Sequence, residues 1–328
     1  MSVFLFPGQG AQFPGMGMDL FESDTNGTGG IRALFAQTSE ILGKDITGIL
    51  NADAETLKRT DVSQIAITVV SLAAARALAA RGIMPSACAG FSLGEYSALA
   101  VSGIISESDA VRLTFERGNI MQKIVDSLTG NDNSEQQKQP GMAAILGLAP
   151  AQIDAVISSG QIPDIYAANY NSPLQTVISG TGEALDAATT IFKEAGARRV
   201  VRLKVAGPFH SPLMAEAGKR FEKILETVTF HDPCIPVFSN VTGRRISSGE
   251  EAKKNAVAQI SSPVRWTDEE ALIADFLKTA TPTTDFVSKN SCPLPDLIEV
   301  GPGKVLCGLW SDSKFAGICK SYTDVLNA

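Results

Sequence analysis

The sequence feature that most constrains the fold is the stretch ACAGFSLGEYSAL at residues 87–99. An apolar segment precedes its Gly-x-Ser-x-Gly motif and an Ala- and Leu-rich segment follows, which predicts a buried strand, a tight turn and a helix. Gly90 and Gly94 are small enough for the crowded backbone of such a turn. Ser92 would then expose its hydroxyl, with the backbone N–H of Leu93 directed toward developing negative charge. The alternative is a serine between two glycines in an ordinary turn.

The length and composition of the chain narrow the class of protein. With 328 residues it forms one large domain or a domain with an insert. Its hydrophobic and charged fractions, 44% and 19%, are typical of a soluble globular protein. A formal net charge of -7 argues against nucleic acid or an anionic membrane as the main partner. The N-terminal segment lacks a basic region and we expect no stretch that spans a bilayer, so we predict a cytoplasmic protein.

The five cysteines form no Cys-x-x-Cys pair, and their number is odd. They are Cys88, Cys234, Cys292, Cys307 and Cys319. We therefore expect reduced, mostly buried thiols and no metal site.

The chain has only two histidines, and histidine is the commonest base for a serine nucleophile. His210 follows Pro208, which cannot continue a strand ladder, so it lies in a loop where a predicted strand and helix meet. His231 follows the segment 227–230, which we predict as a strand, and it too would lie at a strand end. From the residues alone, either histidine can be the base, and His210 is favoured.

A helix is predicted from the capping-box spacing of Ser106 and Asp109 to about Val125. Its apolar residues follow helical steps of three and four, and Arg117 lies in the middle of that stripe. The stripe comprises Ala110, Leu113, Ile120, Met121 and Ile124. Because a buried cation costs free energy unless it is paired, Arg117 faces either a structural carboxylate or an anionic ligand.

The sequence pattern changes after the polar segment 126–140, which we predict as a loop. Strands are predicted at 142–146, 165–169, 176–179 and 200–205, and helices at 151–158 and 181–195. This order, strand-helix-strand-strand-helix-strand, is that of a ferredoxin-like unit. We therefore predict that residues 128–205 form a ferredoxin-like insert between two parts, 1–127 and 206–328, of a larger α/β domain.

Three further segments are predicted as strands of the larger domain, namely 3–6, 235–240 and 297–300. The first leads into the glycine-rich loop 7–12, whose backbone N–H groups can approach a ligand closely. This loop is not a phosphate-binding P-loop, because no Gly-Lys-Ser/Thr follows it. A helix is predicted at 64–81, and the polar segment 279–295 is predicted as a loop.

Five motifs occur in the order in which one enzyme family carries them, and together they cover essentially the whole chain. They are FPGQGAQ at 6–12, GFSLGEY at 90–96, Arg117-Gly118, GPFHSPLM at 207–214 and EVGPGK at 299–304. The chain resembles the malonyl-CoA:acyl carrier protein transacylases, the acyltransferases that load malonyl groups in bacterial type II fatty-acid synthesis. The segments 169–173 and 262–266 add to the resemblance. Three features depart from the family pattern: Phe91, where many relatives carry histidine, and the polar loops 127–140 and 279–295.

The resemblance implies an α/β fold with a hydrolase-like core, a parallel sheet and a nucleophile elbow, plus the ferredoxin-like insert. It implies that Ser92 is the acyl-accepting nucleophile, that His210 is its base and that Arg117 holds the malonyl carboxylate. It also implies that the backbone N–H groups of Gln9 and Leu93 form the oxyanion hole. The further implied residues are Gln9, Phe209 and Asn171 at the substrate, the backbone carbonyl of Gln259 on the histidine, and Asn240 beside it.

The implied reaction transfers a malonyl group from coenzyme A to the phosphopantetheine thiol of acyl carrier protein, through a malonyl-serine and with ping-pong kinetics. The expected partners are malonyl-CoA and acyl carrier protein, with no bound cofactor, metal, nucleic acid or membrane, and we expect a monomer. A basic strand face is a candidate docking surface for the carrier protein. It consists of Arg198, Arg199, Arg202 and Lys204. The alternatives are a trans-acting polyketide acyltransferase, a serine esterase or thioesterase, and an inactive carrier-binding module.

Overall fold

The computed structural model describes residues 2–25, 27, 30–129, 139–279 and 296–328. Within these residues the chain forms two four-stranded sheets with helices packed around them. The loops predicted at 127–140 and 279–295 lie largely outside the described residues, because 130–138 and 280–295, with Cys292, are not among them.

The strands and helices of the described residues are numbered here in chain order. The strands are β1 Ser2–Phe6, β2 Pro85–Gly90, β3 Gly141–Leu146, β4 Ile165–Ser172, β5 Gln175–Gly180, β6 Arg199–Arg202, β7 Leu297–Glu299 and β8 Cys319–Ser321. The helices are α1 Met18–Ser23, α2 Ile31–Leu42, α3 Ile46–Leu50, α4 Ala54–Lys58, α5 Thr60–Ala80, α6 Gly94–Val101, α7 Glu107–Thr129, α8 Pro150–Ser158, α9 Gly182–Glu194, α10 Ala215–Leu225, α11 Gly249–Ala258, α12 Trp266–Thr279, α13 Val305–Ser313 and α14 Tyr322–Leu326. A short 3₁₀ helix, Pro212–Met214, precedes α10.

The first sheet consists of four parallel strands in the order β2-β1-β7-β8. In its register, Phe4 of β1 lies opposite Cys88 of β2 on one side and Ile298 of β7 on the other. All five residues of β1 are buried, as is usual where helices cover both faces of a parallel sheet. The predicted α/β fold with a parallel sheet is therefore confirmed.

A tight turn joins β2 to α6 and depends on two glycines. A Cβ added to Gly90 would lie 2.1 Å from the carbonyl carbon of Gly94, and a Cβ added to Gly94 would lie 2.0 Å from the carbonyl oxygen of Phe6. Only glycine therefore fits at either position. Between them Ser92 has φ 51°, a left-handed conformation that costs an L-residue about 1–2 kcal/mol. The strand, turn and helix predicted for 87–99 are all present.

The second sheet is antiparallel, with the strand order β4-β5-β3-β6, and has its own apolar core. Among the members of this core are Ile145, Ile153, Ile178 and Phe192, from β3, α8, β5 and α9. The predicted elements of 142–195 are present with small changes in their bounds. The last strand differs: β6 ends at Arg202, and after Leu203 N–H donates to Met142 O at 2.9 Å the chain leaves the sheet.

Two long helices, α5 and α7, form much of the core beside the parallel sheet. Ser106 Oγ accepts from Asp109 N–H at 3.0 Å, as predicted, but α7 continues to Thr129, so the start of the predicted loop 126–140 is helical. α5 has the length and apolar composition of a membrane span, contrary to our expectation for the chain. However, 78% of its apolar window is buried inside the protein, and α5 is therefore a core helix.

Two predicted strands are wrong. Segment 235–240 makes only isolated bridges, Cys88 with Val237 and Phe238 with Arg245. Pro233 and Pro236 have no N–H to donate, which prevents a longer ladder. Segment 227–230 is a turn and coil after α10.

The expectation of mostly buried thiols is also wrong for the four described cysteines. Cys88 is buried, Cys234 is exposed, and Cys307 and Cys319 are half-buried. In the described parts of the chain, no three metal-binding side chains cluster together.

Candidate active site

Ser92 and His210 are in direct contact, although 118 positions separate them in the chain. The distance from Ser92 Oγ to His210 Nε2 is 2.7 Å. The turn between β2 and α6 presents the serine, and the segment between β6 and the 3₁₀ helix presents the histidine. Both residues have left-handed backbones, with φ 51° and 56°. Such strain persists only where the surrounding structure holds it, and it is concentrated at functional sites.

Backbone carbonyls hold the imidazole of His210 from the other side. Its Nδ1 lies 2.8 Å from Gln259 O and 3.2 Å from Ser262 O. Because carbonyl oxygens only accept, Nδ1 carries the ring proton and Nε2 accepts from the Ser92 hydroxyl. Burial, and then the charge of Arg117, lower the pKa of His210 from 6.5 to about 4. The imidazole is therefore neutral near pH 7, which is the form a general base requires.

The side-chain amides of Asn240 and Gln259 hold the backbone of the serine turn. Asn240 Oδ1 accepts from Ser92 N–H at 2.6 Å, and Asn240 Nδ2 donates to Gly90 O at 2.7 Å. Gln259 Nε2 donates to Ser92 O at 3.0 Å. The backbone carbonyl of Gln259 makes the predicted contact with the histidine, at 2.8 Å from its Nδ1. Asn240 was predicted beside the histidine, but its hydrogen bonds hold the serine turn instead.

A cavity of about 250 Å³ lies at the Ser92–His210 pair, between the two sheets. The other predicted site residues that line it are Gln9, Leu93, Arg117, Asn171 and Phe209. Strands β3, β4 and β5 of the antiparallel sheet contribute Met142, Asn169, Asn171, Gln175 and Val177. Leu203 and Val205 line it as well, in the segment that leaves β6. The predicted residues therefore converge on one space, with one wall supplied by the antiparallel sheet.

Arg117 is the charged group in this lining, and its side chain is 1% exposed. Its Nη2 donates to Gln259 Oε1 at 3.1 Å, and its guanidinium carbon lies 5.6 Å from the centre of the Tyr96 ring. Among the described residues, its Nε has no hydrogen-bond partner and Arg117 forms no salt bridge. Burial lowers the pKa of this guanidinium, which still stays charged near pH 7. Of the two predicted partners, the geometry favours an anionic ligand.

The backbone N–H groups of Gln9 and Leu93 are available to a ligand. Both residues line the cavity with Ser92, and neither N–H donates a hydrogen bond within the described chain. Leu93 is the N-cap of α6, where N–H groups have no partner in the helix. Gly8 allows the loop of Gln9 to approach the serine turn, because a Cβ there would lie 2.5 Å from Phe91 O. Two N–H donors beside a serine can stabilise an oxyanion.

The cavity also contains two buried polar atoms, one on the predicted Asn171 and one on Gln64, which the sequence did not reveal. Asn171 Oδ1 and Gln64 Oε1 are buried acceptors without a hydrogen-bond partner in the described part of the chain, and both residues line the cavity. Gln64 lies in the predicted helix 64–81, where one glutamine among apolar residues gives no functional signal. Phe209, next to the histidine, is 6% exposed and supplies apolar lining.

Two buried carboxyl groups behind the serine turn were also missed. Glu95 and Glu269 are 2% and 0% exposed. Burial raises the pKa of Glu95 to about 7 and raises that of Glu269 well above its usual value. Glu95 occupies the first turn of α6, where acidic residues are usually exposed, so its sequence position conceals its burial.

His231, the other histidine, is exposed, and its backbone N–H donates to Ile104 O at 2.8 Å. It is not part of the cavity lining. The geometry therefore selects His210 as the partner of the serine. A serine hydroxyl against a neutral imidazole, with free N–H donors beside it, defines the class of enzymes that carry an acyl group on serine.

Comparisons with known proteins agree with this class. The acyl transferase domain family matches residues 3–281. The malonyl CoA-acyl carrier protein transacylase of Bacillus subtilis (strain 168) is 36% identical over 313 residues, which cover 94% of this chain and 88% of that protein. The chain belongs to the family of the malonyl CoA-acyl carrier protein transacylases.

Solved structures share the fold over nearly the whole chain. The crystal structure of MCAT from Streptococcus pneumoniae has a TM-score of 0.85 and 29% identity, covering 100% of this chain and 99% of that one. A malonyl-transacylase in complex with its type II PKS acyl-carrier protein has a TM-score of 0.82 and 33% identity, covering 97% and 95% of the two chains.

Proposed function

We propose that this protein transfers a malonyl group from coenzyme A to the phosphopantetheine thiol of acyl carrier protein, through a malonyl-serine intermediate. The observation that carries the proposal is the Ser92–His210 contact of 2.7 Å in the same cavity as the buried Arg117. The names of the similar proteins support both the acyl donor and the acceptor.

In the first half-reaction, His210 Nε2 takes the hydroxyl proton while Ser92 Oγ attacks the thioester carbon. The carbonyl oxygen becomes an oxyanion, which the N–H groups of Gln9 and Leu93 stabilise at about 2.7–3.1 Å. When the tetrahedral intermediate collapses, the C–S bond breaks and the leaving sulfur receives the proton from His210. Free coenzyme A leaves, and the malonyl group stays on Ser92 as an ester.

The second half-reaction reverses these steps with a different thiol. The phosphopantetheine thiol of the carrier protein loses its proton to His210 and attacks the ester carbon of the malonyl-serine. The same N–H groups stabilise the second oxyanion, and Ser92 recovers its proton as the C–O bond breaks. Because both halves use one site, we expect ping-pong kinetics. Each step moves only a proton and an acyl group, so the mechanism requires no bound cofactor.

Arg117 selects the acyl group in this proposal. A guanidinium offers two parallel N–H donors to the two oxygens of a carboxylate. Malonyl carries that carboxylate and acetyl does not, so only malonyl can form this ion pair with the buried guanidinium of Arg117. The unpartnered Asn171 Oδ1 supports a polar contact to the substrate, and Phe209 limits the space at the acyl group.

The finer assignment of the fold is part of the same proposal. The β2–α6 turn is a nucleophile elbow in a hydrolase-like core made of residues 1–127 and 206–328. The segment 128–205 is a ferredoxin-like insert, which its antiparallel strand order and separate apolar core support. We further propose a cytoplasmic monomer that works on soluble malonyl-CoA and carrier protein, without nucleic acid, membrane or metal.

Intact-mass measurement tests the function directly. Malonyl-CoA should add one malonyl group to the protein, and holo carrier protein should then remove it and gain the same mass. Release of free malonate without transfer would instead identify an esterase or thioesterase. Binding of the carrier protein without any adduct would identify an inactive binding module.

A further inference from the structure

The buried carboxyl of Glu95 is joined to Arg117 through a single side chain. Glu95 Oε2 accepts from Gln259 Nε2 at 2.7 Å, and the other end of that amide, Gln259 Oε1, accepts from Arg117 Nη2 at 3.1 Å. Glu95 Oε2 also accepts from Asn240 N–H at 3.2 Å. A buried carboxyl and a buried guanidinium thus lie on opposite ends of one amide, with no direct salt bridge between them.

The charged and titratable groups that face Glu95 come from three helices. α7 supplies Arg117, whose charge favours ionised Glu95. α12 supplies Glu269, a second buried carboxyl, whose pKa is raised first by burial and then by the charge of Glu95. α6 itself supplies Tyr96, which burial keeps neutral by raising its pKa. In the empty site, the ionised form of Glu95 therefore offsets part of the charge of Arg117 across the Gln259 amide.

Binding of an acyl carboxylate at Arg117 changes this balance. The site would then contain two negative charges and one positive charge, all withdrawn from water, where their interactions are strong. Protonation of Glu95 restores neutrality and leaves its bonds from Gln259 and Asn240 in place, since the carbonyl oxygen of the acid still accepts. An acetyl group brings no charge and leaves the balance unchanged.

We propose that Glu95 takes up a proton from solvent when an acyl carboxylate binds to Arg117, so that the ionisation of Glu95 controls how strongly the site prefers malonyl to neutral acyl groups. This inference rests on the malonyl function proposed above. Since the pKa of Glu95 in the empty site is about 7, the uptake falls within the physiological pH range. The preference for malonyl decreases as the pH rises through this range.

Calorimetry measures the proton uptake without any change at Glu95. Ser92→Ala protein is titrated at pH 7 with malonyl-CoA and with acetyl-CoA, in two buffers of different ionisation enthalpy. If the bound carboxylate raises the pKa of Glu95 by one unit, malonyl-CoA binds with an extra uptake of about 0.4 proton relative to acetyl-CoA. Both ligands contain the same coenzyme portion, so any proton uptake or release caused by that portion cancels in the difference between them. Equal uptake for the two ligands would overturn the proposal.

Steady-state kinetics assign the effect to Glu95. In the unmodified protein, the malonyl-to-acetyl ratio of kcat/KM should fall roughly fivefold between pH 6 and pH 8 for that one-unit change. Glu95→Gln, which is neutral and keeps an acceptor oxygen, should make the ratio independent of pH. Glu269→Gln is the matched control, because Glu269 is a second buried carboxyl that accepts from Asn240 Nδ2 and not from Gln259 or Arg117, and it should keep the fivefold fall. A ratio that is flat in the unmodified protein, or that still falls in Glu95→Gln, contradicts the proposal.

These results are distinguishable from a failure of the function itself. If malonyl-CoA gives no adduct on Ser92, the proposed transfer is wrong whatever the pH dependence. If the adduct forms and moves to the carrier protein while proton uptake is equal for both ligands, the transfer stands and only the role of Glu95 fails.

Discussion

At the scale of single residues, we assign the proposed chemistry to the pair Ser92 and His210, and alanine at each position tests that assignment. Ser92→Ala should abolish the malonyl adduct, since no other hydroxyl contacts the imidazole within the described residues. His210→Ala should lower kcat/KM by about 100-fold or more, leaving the catalysis that the oxyanion hole provides.

The control for this prediction is His231→Ala, a substitution of the exposed histidine, which should leave kcat/KM nearly unchanged. Intact mass and kcat/KM are measured on all three folded variants. If His231→Ala inactivates the protein and His210→Ala does not, the base has been assigned to the wrong histidine.

If His210 is the base, as proposed, its lowered pKa should set the acid limit of the reaction. The base is lost when the imidazole protonates, which happens near pH 4 here rather than near 6.5. We therefore expect kcat/KM for acetyl-CoA to be flat from pH 7 down to about 5, because this substrate does not engage the charge at Glu95. A fall with a midpoint near 6.5 would mean that burial does not hold His210 neutral.

In the proposed function, Arg117 decides which acyl group is used. Arg117→Ala should lower kcat/KM for malonyl-CoA by about 100-fold, roughly 3 kcal/mol, while the value for acetyl-CoA holds or rises. The control is Arg112→Ala on the same helix, where Arg112 bonds to Asp109 and Thr227, outside the cavity. An unchanged malonyl-to-acetyl ratio in Arg117→Ala would remove the carboxylate-binding role.

Individual residues differ in how far the sequence reveals them. Arg117 is predictable because a cation in an apolar helical stripe is costly, so its position implies an anion. Asn240 and Gln259 were found only through the family resemblance, since an amide in a loop or at a helix end has no distinctive spacing. Glu95 and Glu269 were missed because the residues next to them in the chain do not indicate that they are buried. Their burial arises only when the segments that contain Asn240 and Gln259 pack on α6.

At the scale of elements, close packing of α7 on α5 positions the guanidinium. A Cβ on Gly118 would lie 2.8 Å from Thr60 O and 3.2 Å from Asp61 Cα. Gly118→Ala should therefore force the helices apart and destabilise the protein by about 1–3 kcal/mol, with a parallel loss of malonyl preference. Chemical denaturation and the malonyl-to-acetyl ratio measure the two effects.

Gly308→Ala provides the matched control in a helix. Gly308 lies inside α13, and a Cβ there would meet nothing within 4 Å. Alanine should stabilise this position by about 0.5–1 kcal/mol, because it lowers the backbone entropy of the unfolded chain. If both substitutions shift stability in the same direction, the contact between α7 and α5 is not the cause.

Elements with a regular pattern were predicted well, and those that depend on distant partners were not. β1, β2 and the strands and helices of 142–195 follow from apolar runs, glycine ends and caps. The segment 235–240 is apolar enough for a strand, but its prolines and its position at the outer edge of β2 allow only single bridges. The end of α7 was placed too early because polar residues in its last turn resemble a loop.

At the scale of the whole molecule, we expect the carrier protein to be acidic and propose that this negatively charged protein binds it through a local basic patch. Arg198, Arg199 and Lys204 are exposed, and the residues on either side of Lys204 line the cavity. Reversal of Arg198 and Arg199 to glutamate should slow transfer to carrier protein about tenfold at low salt but spare transfer to free pantetheine.

The control reverses two exposed lysines of α10, Lys219 and Lys223, which changes the net charge equally. It should affect neither acceptor by more than a small factor. Equal slowing with both acceptors in the Arg198 and Arg199 variant would exclude this face as the docking surface.

The adjacent ends of the antiparallel sheet have a consequence for how such enzymes diversify. β3 and β6 are neighbours, with Ala143 opposite Arg202, so the chain enters and leaves this sheet side by side. The sheet supplies one wall of the cavity, whereas Ser92, His210 and Arg117 all lie outside it. Recombination at these two points would exchange the antiparallel sheet as one unit and leave Ser92, His210 and Arg117 in place. The part of the cavity lining that this sheet supplies, which includes Asn171, can in this way be inherited or engineered separately from Ser92, His210 and Arg117.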